Sequence, residues 1–240
     1  MNNPSSDGLS IKIFADGADR NSIMEHYANP LIKGFTTNPT LMRKAGITDY
    51  QGFAHEILSE IRDRPISFEV FSDEFDEMYR QARLISSWGD NVFVKIPVTN
   101  TRGESAVPLL ERLAAEGVKM NVTALFTLDQ VRAVSAALAD AAPSNISVFA
   151  GRIADAGVDP LPLMTQALKI MAQHPQQELI WASPRELFNV IQANDIGCHI
   201  ITATSDILAK LKLIGKDLSQ YSLETVKMFY DDASAAGFSI

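Results

Sequence analysis

The sequence predicts an α/β fold, a (β/α)8 TIM barrel in a single domain, and three observations carry the prediction. Short apolar runs of strand type recur at 11–16, 31–36, 66–70, 92–96, 118–122, 146–150, 179–183 and 198–203. Stretches of helical period alternate with them, at 19–27, 50–63, 73–88, 104–116, 128–141, 160–173, 184–194 and 205–214. The length of 240 residues is that of one such barrel. The competing arrangement is an open doubly wound sheet, which carries a Gly-rich phosphate loop after its first strand. Here that position reads Asp16-Gly17-Ala18-Asp19, without the GxGxxG pattern. No linker or shift in composition divides the chain. One domain is expected from 11 to 240, preceded by a flexible leader at 1–10 and followed by an extra helix at 223–235.

Composition narrows the function classes. Hydrophobic residues at 46% and charged residues at 21% are ordinary for a soluble globule. A net charge of −8 argues against a nucleic-acid backbone as partner, although a local arginine pair still suits a small anion. The single cysteine, Cys198, forms no intrachain disulfide and sits in an apolar run, where it reads as a core residue. Residues 1–10 lack the apolar segment of a signal peptide, and no run approaches the ~20 apolar residues of a membrane span, so neither a secretory leader nor a membrane partner is expected. His26, His55, His174 and His199 lack ligand spacing, so no metal site is expected.

The strands, taken in order, place polar residues where a barrel carries its chemistry, at the C-terminal strand ends. The first run ends on Asp16, which is equally suited to cap the helix that follows. The second leads into Thr36-Thr37-Asn38-Pro39, where Pro39 suits the first position of a helix. The third carries Glu69. The fourth, Val92-Phe93-Val94-Lys95-Ile96, holds a lysine among apolar neighbours. That lysine is a side chain escaping at the strand end, an ion-paired core lysine (with Glu69 as partner), or an amine kept neutral by burial and able to attack a carbonyl. The fifth carries Asn121 and Thr123 on one face, and the sixth carries Ser147 and Phe149 on one face with Arg152 just beyond. The seventh ends on Ser183, which with Pro184 reads as a helix N-cap and first turn, and Arg185 follows.

Together these residues put two carboxylates, an amine, amides, hydroxyls and two guanidinium groups around one barrel mouth. Such a set suits metal-free aldol chemistry. Lys95 attacks a ketone, and the iminium serves as electron sink. Asp16 takes a proton from a hydroxyl, and Glu69 with Thr123 holds a water. Asn38 and Asn121 bond substrate hydroxyls or the imine. Arg152, Arg185 and Ser183 hold a terminal phosphate.

The segments Thr36-Thr37-Asn38-Pro39, Val94-Lys95-Ile96-Pro97-Val98-Thr99, Asn121-Val122-Thr123-Ala124 and Gly151-Arg152-Ile153 resemble the signature segments of the transaldolase family, including its short, fructose 6-phosphate aldolase-like branch. The resemblance implies a cytoplasmic (β/α)8 barrel that needs no cofactor. Lys95 matches the Schiff-base lysine, Asp16 the acid/base aspartate, and Glu69 with Thr123 the pair around the catalytic water. Thr37, Asn38 and Asn121 match substrate contacts, Ser147 and Phe149 pocket walls, and Arg152, Ser183 and Arg185 the phosphate site. The short aldolases tend to carry Gln where this chain has Glu69 and Tyr where it has Phe149, so both positions resemble transaldolases. Phe126, Ala154 and the segment 153–157 depart from the family pattern and leave the acceptor sugar open.

The implied activity is transfer of a dihydroxyacetone unit from sedoheptulose 7-phosphate or fructose 6-phosphate to glyceraldehyde 3-phosphate or erythrose 4-phosphate, in the pentose phosphate pathway. The alternatives are an aldolase that releases free dihydroxyacetone, an aldolase for another anionic sugar, and a non-catalytic phosphosugar-binding barrel. A homo-oligomer is expected.

Overall fold

The computed structural model describes residues 8–239, so most of the leader expected at 1–10 lies outside the described residues. The described residues divide into two compact units, 10–208 and 8–9 with 209–239.

The larger unit is a closed barrel of eight parallel strands in sequence order. They are β1 (Lys12–Asp16), β2 (Ile32–Thr36), β3 (Ile66–Glu69), β4 (Val92–Pro97), β5 (Met120–Leu125), β6 (Ser144–Val148), β7 (Gln177–Trp181) and β8 (Ile200–Ala203). β8 pairs with β1 and closes the ring, which leaves no free sheet edge. The strands are apolar on both faces because one faces the barrel interior and the other the helices. Ile32, Val94, Ile96, Val122 and Ile180 are accordingly inaccessible to solvent.

The helices follow local rules. α1 (Arg20–Ala28) is capped by Asp19, α3 (Tyr50–Glu60) by Asp49, and α6 (Leu128–Ala137) by a Thr127/Gln130 capping box. α4 (Phe75–Ser86) buries Met78, Gln81, Ala82 and Ile85, the i, i+3, i+4, i+7 stripe that turns one face to a sheet. α5 (Val107–Ala115) and α8 (Pro160–Met171) complete the long outer helices.

Several boundaries differ from the sequence expectation, and some of them move site residues. Two short helices were not anticipated, α2 (Pro39–Lys44) and α7 (Ala150–Asp155), because six residues are too few to show a periodic stripe. Phe149 therefore does not share a strand with Ser147; β6 stops at Val148 and Phe149 is the N-cap of α7. Arg152 lies within α7. Ser183 and Pro184 do not open a helix. Ser183 adopts φ 61°, and α9 (Phe188–Asp195) begins only after Leu187. Asp16 does not cap α1, a position that belongs to Asp19. The helix expected at 205–214 is a single turn, α10 (Ser205–Leu208), with a separate 3-10 turn at Leu211–Leu213.

The smaller unit contains α11 (Leu218–Ala235), which starts five residues ahead of the expected 223 because Asp217 caps it by accepting from the Gln220 N–H. Lys216 pairs with Glu224 and lies 4.4 Å from the centre of the Tyr221 ring.

Candidate active site

A cavity of about 540 Å³ opens at the C-terminal ends of the barrel strands, and seven of the eight strands contribute to its wall. Strand register explains the central row. Glu69 lies opposite Lys95, and Lys95 opposite Asn121, on β3, β4 and β5. Aligned residues of a parallel sheet face the same side, so all three enter the barrel together.

Lys95 is 7% exposed. Its Nζ donates to the Thr37 carbonyl oxygen at 3.1 Å and lies 3.2 Å from Glu69 Oε2. The ion pair with Glu69, one of the three readings this lysine left open, is therefore present. Burying an ammonium group requires such partners, and two of its three donors are engaged. The Glu69 backbone is fixed in turn, since the Tyr50 hydroxyl donates to its carbonyl oxygen at 2.8 Å.

Asp16, at the end of β1, accepts from Thr36 Oγ1 at 2.8 Å. Burial raises the Asp16 carboxyl above its ordinary value; the Lys95 charge and the Thr36 hydrogen bond oppose that rise. A carboxyl group raised by burial, with a buried amine close enough to oppose the rise, suits proton exchange with a substrate.

Asn121 is fully buried and held at both ends. It donates from Nδ2 to Ser67 Oγ at 2.9 Å and accepts from Ser147 Oγ at 2.7 Å. One amide N–H remains for a ligand. Thr123, two residues on and 2% exposed, has no hydrogen-bond partner for its hydroxyl among the described residues. The next residue, Ala124, adopts φ 63° where β5 slips register against β6. Ala124 and Ser183 are the non-glycine residues with left-handed backbone among those described, and both line the cavity. Asn38 caps α2 through Oδ1, which accepts from the Leu41 N–H, and it lines the cavity as well.

One side of the cavity is cationic. Arg152 lies with its guanidinium carbon 5.3 Å from the centre of the Phe149 ring and has no ion-pair partner among the described residues. Arg185 is clamped by Asp155, donating from Nε at 2.9 Å and from Nη2 at 2.5 Å, and its Nη1 donates to Ser183 Oγ at 3.1 Å. Gly151 brings these turns together. A Cβ at this glycine would lie 1.5 Å from the Ser183 carbonyl oxygen, so only glycine admits the approach.

All but one of the residues expected at the site line this cavity. The exception is Thr37, which is 1% exposed; its hydroxyl donates to the Ser67 carbonyl oxygen, and its own carbonyl serves Lys95. The sequence reading missed Thr202, Ser67 and Lys44. Thr202 lies on the one strand run from which no site residue had been proposed. Lys44 sits on the unanticipated α2. Cys198 is buried outside the cavity, where desolvation pushes its thiol up to about 12. Among the described residues, no helix is long and apolar enough to cross a membrane.

A family model described as Transaldolase/Fructose-6-phosphate aldolase matches residues 13–240. A "probable transaldolase" from Thermoanaerobacter sp. is 36% identical over 231 residues, covering 96% of this chain and all of that one. One from Caldicellulosiruptor saccharolyticus is 38% identical over 203 residues, 84% of this chain and 89% of its own. One from Dehalococcoides mccartyi is 34% identical over 202 residues, 84% and 90% respectively. Among solved structures, the crystal structure of 2,3-dimethylmalate lyase, a PEP mutase/isocitrate lyase superfamily member, aligns with a TM-score of 0.54 at 12% identity. The alignment covers 97% of this chain and 86% of that one, a likeness of fold.

Proposed function

The chain belongs to the Transaldolase/Fructose-6-phosphate aldolase family, and from that premise we propose that Lys95 forms a Schiff base with a ketose phosphate and passes its dihydroxyacetone unit to an aldose phosphate. The observation that carries this reading is a buried lysine on the cavity wall, ion-paired with Glu69 and within electrostatic reach of Asp16 on the same wall.

The steps follow from the positions of the groups. Lys95 gives an ammonium proton to its partner Glu69, its neutral Nζ attacks the ketone carbon, and Glu69 passes the proton through the held water to the carbinolamine oxygen, which leaves as water. Glu69 and the unpartnered Thr123 hydroxyl flank the place where that water is held. Asp16 takes the proton of the substrate hydroxyl as the carbon–carbon bond breaks, and the electron pair moves into the iminium to give an enamine. The aldehyde fragment leaves. The enamine carbon then attacks the carbonyl of the acceptor, Asp16 returns its proton to the new alkoxide, and water releases the product from Lys95.

Asn38 and the remaining Asn121 N–H bond the donor hydroxyls. Arg152, Arg185 and Ser183 receive the phosphate, with Lys44 adding positive charge. Ser147 acts by holding Asn121. The donors are sedoheptulose 7-phosphate or fructose 6-phosphate and the acceptors glyceraldehyde 3-phosphate or erythrose 4-phosphate. The setting is pentose phosphate metabolism in the cytoplasm.

The family description also covers aldolases that release dihydroxyacetone. Turnover of fructose 6-phosphate with and without an added aldose phosphate separates the two. Transfer predicts turnover only with the acceptor, whereas sustained release of dihydroxyacetone without it would replace transfer by cleavage.

A further inference from the structure

We propose that Thr202 is a positioning residue for Asp16, acting through the Thr36 hydroxyl so that the carboxyl group stays hydrogen-bonded in both of its protonation states. The proposal rests on Asp16 as the acid/base of the reaction above. Thr36 Oγ1 lies 2.8 Å from Asp16 Oδ1 and 2.5 Å from Thr202 Oγ1. A threonine hydroxyl has one proton. While Thr36 spends it on the carboxylate, Thr202 must be the donor to Thr36. The chain then runs from the Thr202 hydroxyl to Thr36 and on to the Asp16 carboxylate.

Once Asp16 has taken a proton from substrate on its other oxygen, Oδ1 is a neutral carbonyl oxygen that still accepts from Thr36, so the chain keeps its direction and the proton stays available to the substrate alkoxide. Thr202 also borders an adjoining lobe of about 290 Å³ lined by Thr204 and Asp206. Thr36 is 2% and Thr202 6% exposed, so bulk water does not replace either group. The strands hold the spacing, since Asp16 lies opposite Thr36 on β2, and Thr202 opposite Phe14 on β1.

Removing the Thr202 hydroxyl weakens the carboxylate state more than the acid state, because hydrogen bonds to an ion are the stronger and polarise their neighbours. The charged groups around Asp16 are Lys95 with its partner Glu69, Lys44 and Arg152 on the cavity wall, and Arg185 and Asp206 at the lobe. None of these shares a hydrogen bond with Thr202. A Thr202→Val variant therefore changes the hydroxyl chain and leaves those charges in place.

The test is the pH dependence of kcat, with borohydride trapping of Lys95 by fructose 6-phosphate in parallel. For Thr202→Val the acidic limb should move up by about half a pH unit or more. On the acidic limb kcat should fall about three-fold or more, with KM and trapping yield unchanged, and Thr202→Ser should restore the wild-type limb. If Thr202→Val does not fold, Thr202→Ala carries the same expectation, with Thr202→Ser controlling for the lost methyl. An unmoved limb, or a serine variant that behaves like valine, overturns the proposal. Failure of the underlying reading looks different, because the wild type is then not trapped at Lys95. In that event the carboxyl carbon of isotopically labelled Asp16, assigned with Asp16→Asn, reports its titration by NMR. Thr202→Val must still shift it upward.

Discussion

Replacing Gly151 with alanine probes how tightly the anion-binding side of the cavity is set. The new Cβ would lie 1.5 Å from the Ser183 carbonyl oxygen and 2.6 Å from its carbonyl carbon. Ordinary contact needs about 3.5 Å, so the two turns must separate by roughly 2 Å. The barrel resists this separation. Ala182 N–H donates to the Val148 carbonyl oxygen at 2.9 Å, and Gly151 N–H to the Ala182 carbonyl oxygen at 3.3 Å. The displacement therefore falls on the turn bearing Ser183 and Arg185 and on the start of α7 bearing Arg152. Overpacking of this kind costs about 1–3 kcal/mol. For a barrel of this size that lowers Tm by about 2–12 °C. A misplacement of ~1 Å in binding groups reduces kcat/KM by about 100-fold. The loss should appear with a ketose phosphate and be much smaller with the same ketose lacking its phosphate. The assay pairs a thermal melt with kcat/KM for both donors. An alanine variant with unchanged Tm and full kcat/KM for the phosphorylated donor would refute the reasoning, as would an equal loss for both donors.

Two further expectations concern titrating groups. Asp16 is raised above its ordinary 3.8, so the folded state binds its proton more tightly than the unfolded state. Its ionisation thus removes stability as pH rises from 3.8 through the folded value, and the penalty stays constant above that. Asp16→Asn should melt higher than wild type at pH 7, the difference closing as pH falls toward 3.8, while kcat drops by about 100-fold or more. An Asp16→Asn variant that melts lower at pH 7, or that keeps its kcat, would contradict this. His199 accepts from the Leu179 N–H through Nδ1 at 2.9 Å, and burial holds its imidazole below the ordinary 6.5. Its stabilising contribution is complete above pH 6.5 and is lost as pH falls from 6.5 through the folded value. Melting curves from pH 7.5 to 5 should fall less steeply in His199→Asn, whose side-chain oxygen can still accept from Leu179; identical slopes would argue against the assignment.

Much of this architecture was legible in the sequence, because each barrel strand leaves a mostly apolar run and each outer helix a stripe. The polar residues that interrupt those runs stand out for the same reason, which is why Lys95, Glu69, Asn121 and Asp16 could be placed on the cavity wall from the sequence, with Thr37 the one expected residue off it. What was not legible had other physical origins. The six residues of α2 and of α7 form less than two turns of helix, so no stripe announced them or the position of Phe149. The left-handed backbone of Ser183 goes with its close approach to Gly151, and a serine gives no local sign of it. The Arg185–Asp155 clamp joins residues 30 apart, a pairing that no period encodes. Thr202 is an ordinary strand threonine until β8 closes against β1 and brings it to Thr36.

The central claim is the covalent step at Lys95. Wild-type protein is incubated with fructose 6-phosphate and borohydride, digested, and analysed by mass spectrometry beside Lys95→Met. The account predicts a reduced sugar adduct on the peptide bearing Lys95, loss of transfer activity in step with its formation, and no adduct in the variant. An unmodified Lys95 in inactivated protein, or an adduct of equal yield in Lys95→Met, would contradict it.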